Sequence, residues 1–336
     1  MNRSQNPLLH AVPRQLSAAL AVALAAVLTA AAGNGVAADG RYRQGAISGL
    51  NPQAVQTADA AQPAPATVEA TPDSTPDTAG GRYHYLALKS AAALVLDQQT
   101  GATMFGKNTD AVLPIASITK LMTAMVVLDA KLPMQETIPI SEDDVDTLKG
   151  TRSRLRVGTL LTREELLRLA LMASENRAAA ALSHAYPGGR EAFVAAMNRK
   201  AAELGMRDTH FLDPTGLTSA NVSTAHDLVK LVDAGYRYPT IRNFTTTNRY
   251  DVRINGREQT FRNTNRLVQN GSWEIGLSKT GFINEAGRCL VMQARLAEKN
   301  VLIVLLDSWG KYTRIGDANR IRKWLESGPL KPSVKS

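Results

Sequence analysis

Near the carboxyl end of this chain stand two short apolar runs, Cys289 to Ala294 and Val301 to Leu306, that look like strands. A third, Ala93 to Leu96, stands near the other end. It is followed by Asp97-Gln-Gln-Thr100-Gly101 and then Ala102 to Phe105, a β-hairpin with a glycine-containing turn. Between these ends the apolar period is helical. Leu121, Met122, Met125 and Val126 share a face, as do Leu166, Leu167 and Ala170, and Phe193, Met197, Ala201 and Leu204 do so up to a stop at Gly205. Ala318, Ile321 and Leu325 mark a closing helix. Strands at both ends around a helical middle predict an α/β sandwich whose sheet joins the two ends of the chain. No internal repeat is present.

The first residues stand apart from this pattern. Arg3 and Arg14 precede an uncharged run, Leu16 to Ala32, rich in Ala, Leu and Val, and Val36-Ala37-Ala38 offers small residues for cleavage. Residues 1–38 therefore read as a secretory signal, and the run is at the short limit for a membrane span. Residues 39–82 carry Pro52, Pro63, Pro65, Pro72 and Pro76, end in Gly80-Gly81, and hold almost no large apolar side chain. Such a stretch cannot offset its ordering entropy and reads as a flexible spacer. The folded part is expected over residues 83–328, with a tail at 329–336.

The chain has 336 residues, an apolar fraction of 44% and a net charge of +9, and loss of the signal, with Arg3 and Arg14, leaves +7. That charge suits an acidic polymer or membrane surface. There is no basic run with interleaved aromatics, no metal-finger spacing and no glycine-rich phosphate loop, so nucleic acid is not an expected partner. A single cysteine, Cys289, allows no internal disulfide, and with five scattered histidines no metal site or cofactor is suggested.

Three short motifs occur in order: Ser117-Ile-Thr-Lys120, Ser174-Glu175-Asn176 and Lys279-Thr280-Gly281. Ordinary composition produces about one Ser-x-x-Lys by chance in a chain this long, so the context has to carry it. Pro114 breaks the chain just ahead, and the apolar stripe from Leu121 onward places Ser117 at a helix start. Residues three apart share a helix face, so the Lys120 amine can reach the Ser117 hydroxyl. A neutral Lys120 could then take that proton, and burial or a second cation such as Lys279 would lower its pKa. The unpaired N–H groups of a helix start suit an oxyanion. No Gly-x-Ser-x-Gly elbow supports a Ser-His-Asp arrangement. Asp213-Pro214-Thr215-Gly216 and Thr224-x-x-Asp227 read as scaffolding, a turn and a helix cap.

The ordered triple is the set known in penicillin-binding proteins and class A β-lactamases. Pro114 to Met125, Ala173 to Ala178, Asp213-Pro-Thr-Gly-Leu217, Ser223-Thr-Ala225 and Lys279-Thr-Gly-Phe282 resemble the low-molecular-mass serine D-Ala-D-Ala peptidases, above all the penicillin-binding protein 7 type of D-alanyl-D-alanine endopeptidase. The resemblance covers roughly Ala91 to Leu325. It implies a β-lactamase/transpeptidase-like fold: a five-stranded antiparallel sheet flanked by helices, with a helical subdomain. It makes Ser117 the acylated nucleophile, Lys120 its base and Ser174 the proton relay to the leaving amine. Asn176 would orient Lys120 and the substrate amide, and Lys279 and Thr280 would hold the substrate carboxylate. Gly281 would leave room for a substrate strand, and the N–H groups of Ser117 and Phe282 would form the oxyanion hole.

The implied substrates are peptidoglycan peptide stems, in the periplasm, with β-lactams as covalent inhibitors. The stretch Thr209-His-Phe-Leu-Asp-Pro214 holds no Glu-x-x-Leu-Asn run of the kind that lets class A β-lactamases deacylate, so inhibition is expected rather than resistance. Only Glu326 to Ser336 follow the closing helix, which favours an endopeptidase without a stable membrane anchor, free to associate with other cell-wall hydrolases, over a carboxypeptidase. A DD-carboxypeptidase, a sensor that acylates without turnover and a basic structural binder of the wall remain the alternatives.

Overall fold

The computed structural model describes residues 86–327; the expected signal, spacer and tail lie outside the described residues. The hairpin comes first, as β1 (Ser90–Asp97) and β2 (Thr103–Lys107), followed by the short β3 (Leu113–Pro114). Helix α1 (Lys120–Asp129), strands β4 (Thr137–Pro139) and β5 (Leu160–Thr162), and helices α2 (Arg163–Met172), α3 (Asn176–His184) and α4 (Gly189–Glu203) make up most of the first half. The short β6 (Val222–Ser223) then leads into α5 (Ala225–Tyr236) and α6 (Pro239–Thr246). A second hairpin, β7 (Arg249–Ile254) and β8 (Arg257–Arg262), and the single turn α7 (Arg266–Gln269) precede three long strands. These are β9 (Glu274–Ile283), β10 (Gly287–Leu296) and β11 (Lys299–Ser308), and α8 (Thr313–Glu326) is the last described element.

The main sheet is antiparallel with strand order β2-β1-β11-β10-β9, so the first and last of the described strands are neighbours, as the apolar runs predict. Its middle strands are covered on both faces, which is why they read as continuous apolar runs rather than alternating ones. Ala92, Leu94, Val291, Leu302, Val304 and Leu306 join the core beneath the helical layer. Their neighbours Ala93, Val95, Leu290, Met292, Ile303 and Leu305 pack on the other face with Ala318, Ile321, Trp324 and Leu325 of α8. Helix α5 lies against the sheet on the first face and α8 on the second.

One buried carboxylate fixes where α8 sits. Asp317, fully buried, accepts hydrogen bonds from Ser90 N at 2.8 Å and Ser90 Oγ at 2.6 Å and pairs with Arg320. The helix caps follow the local sequence. Thr162 and Glu165 form a reciprocal capping box at α2, and Thr224 Oγ1 caps α5 by accepting from Asp227 N. Asp227 does not reach back to complete a second box. Its carboxylate accepts from Asp208 N and Thr209 Oγ1 and pairs with Lys230, tying the preceding loop to α5.

Strand β9 is an edge of the sheet. Its free side faces the turn that precedes α1, and the helical layer approaches it across a cleft.

Candidate active site

The chain reaches the cleft through strained backbone. Ala116 holds φ +46° and Ser174 holds φ +60°, values that side-chain-bearing residues seldom adopt and that collect at functional sites. Ser117 lies in a 3-10 turn, Ala116–Thr119, and the α-helix begins only at Lys120. The expected helix start at Ser117 is therefore one turn early. The tighter winding still stacks residues three apart on one side.

The Lys120 amine is fully buried and makes three contacts. It lies 2.8 Å from Ser117 Oγ, 2.7 Å from Asn176 Oδ1 and 2.6 Å from the Thr215 carbonyl. Burial pushes its pKa down to about 7, against the opposing pull of the Asp213 and Glu175 carboxylates. Burial is thus the largest cause, where the sequence pointed to burial and a nearby second cation together. That second cation is nevertheless present. Lys279, also buried, donates to Ser174 Oγ at 2.8 Å and to the Thr280 carbonyl at 3.0 Å. Burial, then Lys120 and Arg314, hold its amine well below the ordinary lysine range.

The Asp213–Gly216 turn is more than a connection. Asp213 accepts from Thr215 Oγ1 at 2.7 Å, Gly216 N at 2.6 Å and Thr218 N at 2.9 Å, which fixes the loop. Thr123 Oγ1 in α1 donates to the Pro214 carbonyl at 2.6 Å, and Asn221 Nδ2 donates to Thr119 Oγ1 at 3.0 Å. The turn is scaffolding, as its composition indicated, but it also delivers the Thr215 carbonyl to Lys120.

Two glycines allow the backbone to close on Ser117. A Cβ on Gly281 would stand 2.8 Å from the Ile115 carbonyl and 3.2 Å from Ser117 N, and one on Gly216 would meet the Ala116 carbonyl at 2.0 Å. Gly281 therefore admits the approach of β9 to the serine turn, besides the room for a substrate strand that the resemblance implies. Thr280 Oγ1 bonds Thr264 Oγ1 at 2.6 Å, and half-exposed Phe282 stands at the rim under the Arg288 guanidinium.

The three sequence motifs thus meet: Lys120 touches Ser117 and Asn176, Lys279 touches Ser174, and Gly281 packs against the serine turn, with Thr280 and Phe282 beside it on β9. Over residues 79–309 the chain matches the family model described as D-alanyl-D-alanine carboxypeptidase. The chain belongs to this family. It is 52% identical over 245 residues to a D-alanyl-D-alanine endopeptidase of Pseudomonas aeruginosa, covering 72% of this chain and 79% of that one. It is 46% identical over 268 residues to the D-alanyl-D-alanine endopeptidase of Escherichia coli, covering 79% and 83%. Among solved structures it resembles a Streptomyces DD-transpeptidase with TM-score 0.68 and 29% identity, over 73% of this chain and 99% of that one. The fold is that of the penicillin-binding proteins, as the motifs led us to expect.

Several groups in this D-alanyl-D-alanine carboxypeptidase-family cleft carried no sequence signal. Arg314 Nη1 donates to the Gly281 carbonyl at 2.7 Å and to the Cys289 carbonyl at 3.0 Å, bracing β9 from behind. Burial, helped by Arg288, pushes its pKa down to about 10. Thr151 Oγ1 accepts from Asn176 Nδ2 at 3.0 Å, and Ser153 Oγ donates to Glu175 at 2.7 Å. Both belong to a loop over residues 145–156 that spans the cleft mouth. Lys149 pairs with Glu285 beyond β9, and Arg154 stacks 3.7 Å above the Phe261 ring in β8. Nothing in the spacing of these residues marks them, because each partner lies far away in sequence. Among the described residues no group of three or more potential metal ligands stands together, and no helix is long and apolar enough to cross a membrane.

Proposed function

We propose that this chain is a serine DD-endopeptidase that hydrolyses D-alanyl to meso-diaminopimelyl cross-links in peptidoglycan through an acyl-enzyme on Ser117. The observation that carries the reading is the 2.8 Å contact between Ser117 Oγ and a buried Lys120 amine whose pKa stands at about 7. A serine hydroxyl needs a base to become a nucleophile at neutral pH, and burial lowers the proton affinity of this amine toward that range.

In the first step Ser117 Oγ attacks the D-alanyl carbonyl carbon while its proton passes to Lys120 Nζ. The developing oxyanion is placed at the N–H groups of Ser117 and Phe282. The C–N bond then breaks, and the departing amine receives through Ser174 Oγ the proton that Lys120 had taken, which returns Lys120 to its neutral form. Water attacks the ester next while Lys120 accepts its proton, and as the acyl C–O bond breaks Lys120 passes that proton to Ser117 Oγ and the hydroxyl is restored. Asn176 holds Lys120 by its carbonyl and has one N–H left for the substrate amide, since the other goes to Thr151. Lys279 and Thr280 offer a cation and a hydroxyl to the substrate carboxylate. The edge of β9 offers unpaired backbone to an extended peptide. A β-lactam follows the same first step and stays bound as an ester.

The signal-like first 38 residues and the spacer support a site of action in the periplasm. Carboxypeptidase activity on terminal D-alanine is the second reading, favoured by the description of the matching family. Mass spectrometry of the purified protein after benzylpenicillin, alongside digestion of crosslinked dimeric muropeptide and free pentapeptide, tests both. A penicilloyl adduct on Ser117 with dimer cleavage, both lost in Ser117→Ala, is the expected result. Cleavage of pentapeptide alone would transfer the chain to the second reading, and absence of an adduct would overturn the serine mechanism.

A further inference from the structure

Outside the cleft, the connection from β11 to α8 carries the most exposed large apolar side chain among the described residues. Trp309 is 83% exposed, and its indole makes no hydrogen bond and no ring contact among the described residues. The turn that holds it is tight: Gly310 stands at φ +85°, and a Cβ there would lie 3.0 Å from Thr313 Oγ1. Trp309 is not isolated. Tyr312, at the other end of the turn, and Phe282, near the end of β9, are each about half exposed. Arg314, two residues beyond Tyr312, donates to the Gly281 carbonyl beside Phe282. Arg288 is the register partner of both Phe282 and Ser308, the residue before Trp309. The three rings therefore gather around one end of the main sheet.

Cations stand over two of these rings. Arg288 is 4.4 Å from the centre of the Phe282 ring, and Arg266 and Lys311 are 5.2 and 5.6 Å from that of Tyr312. None of the three cations has a carboxylate partner among the described residues. Exposed rings grouped in this way mark a contact surface rather than scattered surface apolarity. A hydrocarbon would satisfy the rings alone, and a phosphate the cations alone. A sugar chain that carries acidic peptides satisfies both, with C–H groups on the ring faces, hydroxyls around the ring edges and carboxylates beside them.

We infer that Trp309 and Tyr312, with Lys311 and Arg288, form a docking surface for the glycan strand to which the substrate stems are attached. The inference rests on the function proposed above and adds to it a contact outside the cleft. Position supports this occupant. An extended stem paired to the free edge of β9 leaves the sheet at one end beside Ile283, and β10 begins four residues later at Gly287, next to Arg288. Two strand spacings, roughly 10 Å, separate β9 from β11, where Trp309 follows Ser308. A stem of four residues spans at most about 14 Å. With its D-alanyl carbonyl at Ser117, against which Gly281 packs, its sugar end falls within reach of this surface.

The test compares crosslinked stems still attached to glycan strands with the same crosslinked stems released from them, both cut by the full-length enzyme. We expect a higher kcat/KM on the glycan-bearing form. Trp309→Ala should lower it there by roughly threefold to tenfold, the worth of one stacked ring, and leave cleavage of the released peptides at the wild-type rate. Trp309→Phe should keep most of the preference, and Trp309→Ala combined with Tyr312→Ala should abolish it. Isothermal titration with peptide-free glycan strands should show binding by the wild type that the double variant lacks. Equal rates of the wild type on both forms, a preference that survives in the double variant, or an equal loss on both forms would each overturn the surface. Binding to phosphatidylglycerol vesicles that depends on Trp309, without any glycan preference, would overturn it in favour of a membrane. Benzylpenicillin acylation of the wild type separates the two levels: an acylated enzyme without glycan preference refutes the docking surface alone, whereas an unacylated one refutes the proposed function.

Discussion

Lys279 Nζ donates to Ser174 Oγ at 2.8 Å across 105 residues of sequence. Ser174 is held in the left-handed region at φ +60° to meet it, and Lys279 is almost fully buried. The pair brings a second amine with a lowered proton affinity to the cleft without touching Ser117 itself.

Ser174→Ala is therefore expected to lower turnover of crosslinked dimer by roughly 10² to 10⁴, the range of one proton-transfer partner. Thermal melting should move little, since one hydroxyl contact is lost. Steady-state kinetics beside a melting curve checks both. Unchanged turnover would remove Ser174 from the proton path.

The Lys120 amine gives a pH profile with a defined sign. Only its neutral form takes the Ser117 proton, so benzylpenicillin acylation should rise with pH through a midpoint near 7. Two pH units below the midpoint the rate should be down by about a hundredfold. Because Glu175 pulls the pKa upward, Glu175→Gln should shift the midpoint to lower pH. The folded amine releases its proton earlier than the unfolded one, so this group makes stability rise with pH between about 7 and the ordinary 10.5. Lys120→Met should flatten that part of the stability curve, and rapid-quench acylation and denaturant titrations across pH measure the two effects.

Gly216 stands at φ +79°, with the Ala116 carbonyl 2.0 Å from where a Cβ would lie. Gly216→Ala combines backbone strain with a clash against the serine turn, and should cost about 2 kcal/mol or more. It should also slow acylation, because Ala116 cannot move without Ser117. Urea unfolding together with acylation rates tests this, and a stable variant with normal acylation would contradict the geometry.

Asp317 provides the opposite case, a residue that matters for folding and not for chemistry. Asp317→Ala leaves Ser90 N without its acceptor and Arg320 without its partner, and should destabilise the protein by about 3 kcal/mol. At temperatures where the variant remains folded, its acylation rate should match the wild type. Calorimetry with acylation kinetics distinguishes the two.

The sequence by itself determined the frame. Apolar runs at both ends, helical periods between them and turn residues at Gly101 and Gly205 are local signals, because strand and helix impose their periods on neighbouring residues. The three motifs were legible too, since Ser117 and Lys120 are close enough in the chain for backbone geometry alone to bring them together. The 3-10 winding at Ser117 was not, because it depends on Asn221 and on the close approach of Gly216 and Gly281 from other parts of the chain. The bracing by Arg314 and the Thr215 carbonyl on Lys120 likewise exist only when distant segments pack. Burial decided the rest: the pKa of Lys120 is set by how completely water is removed around it, a property of the assembled core that no residue carries alone.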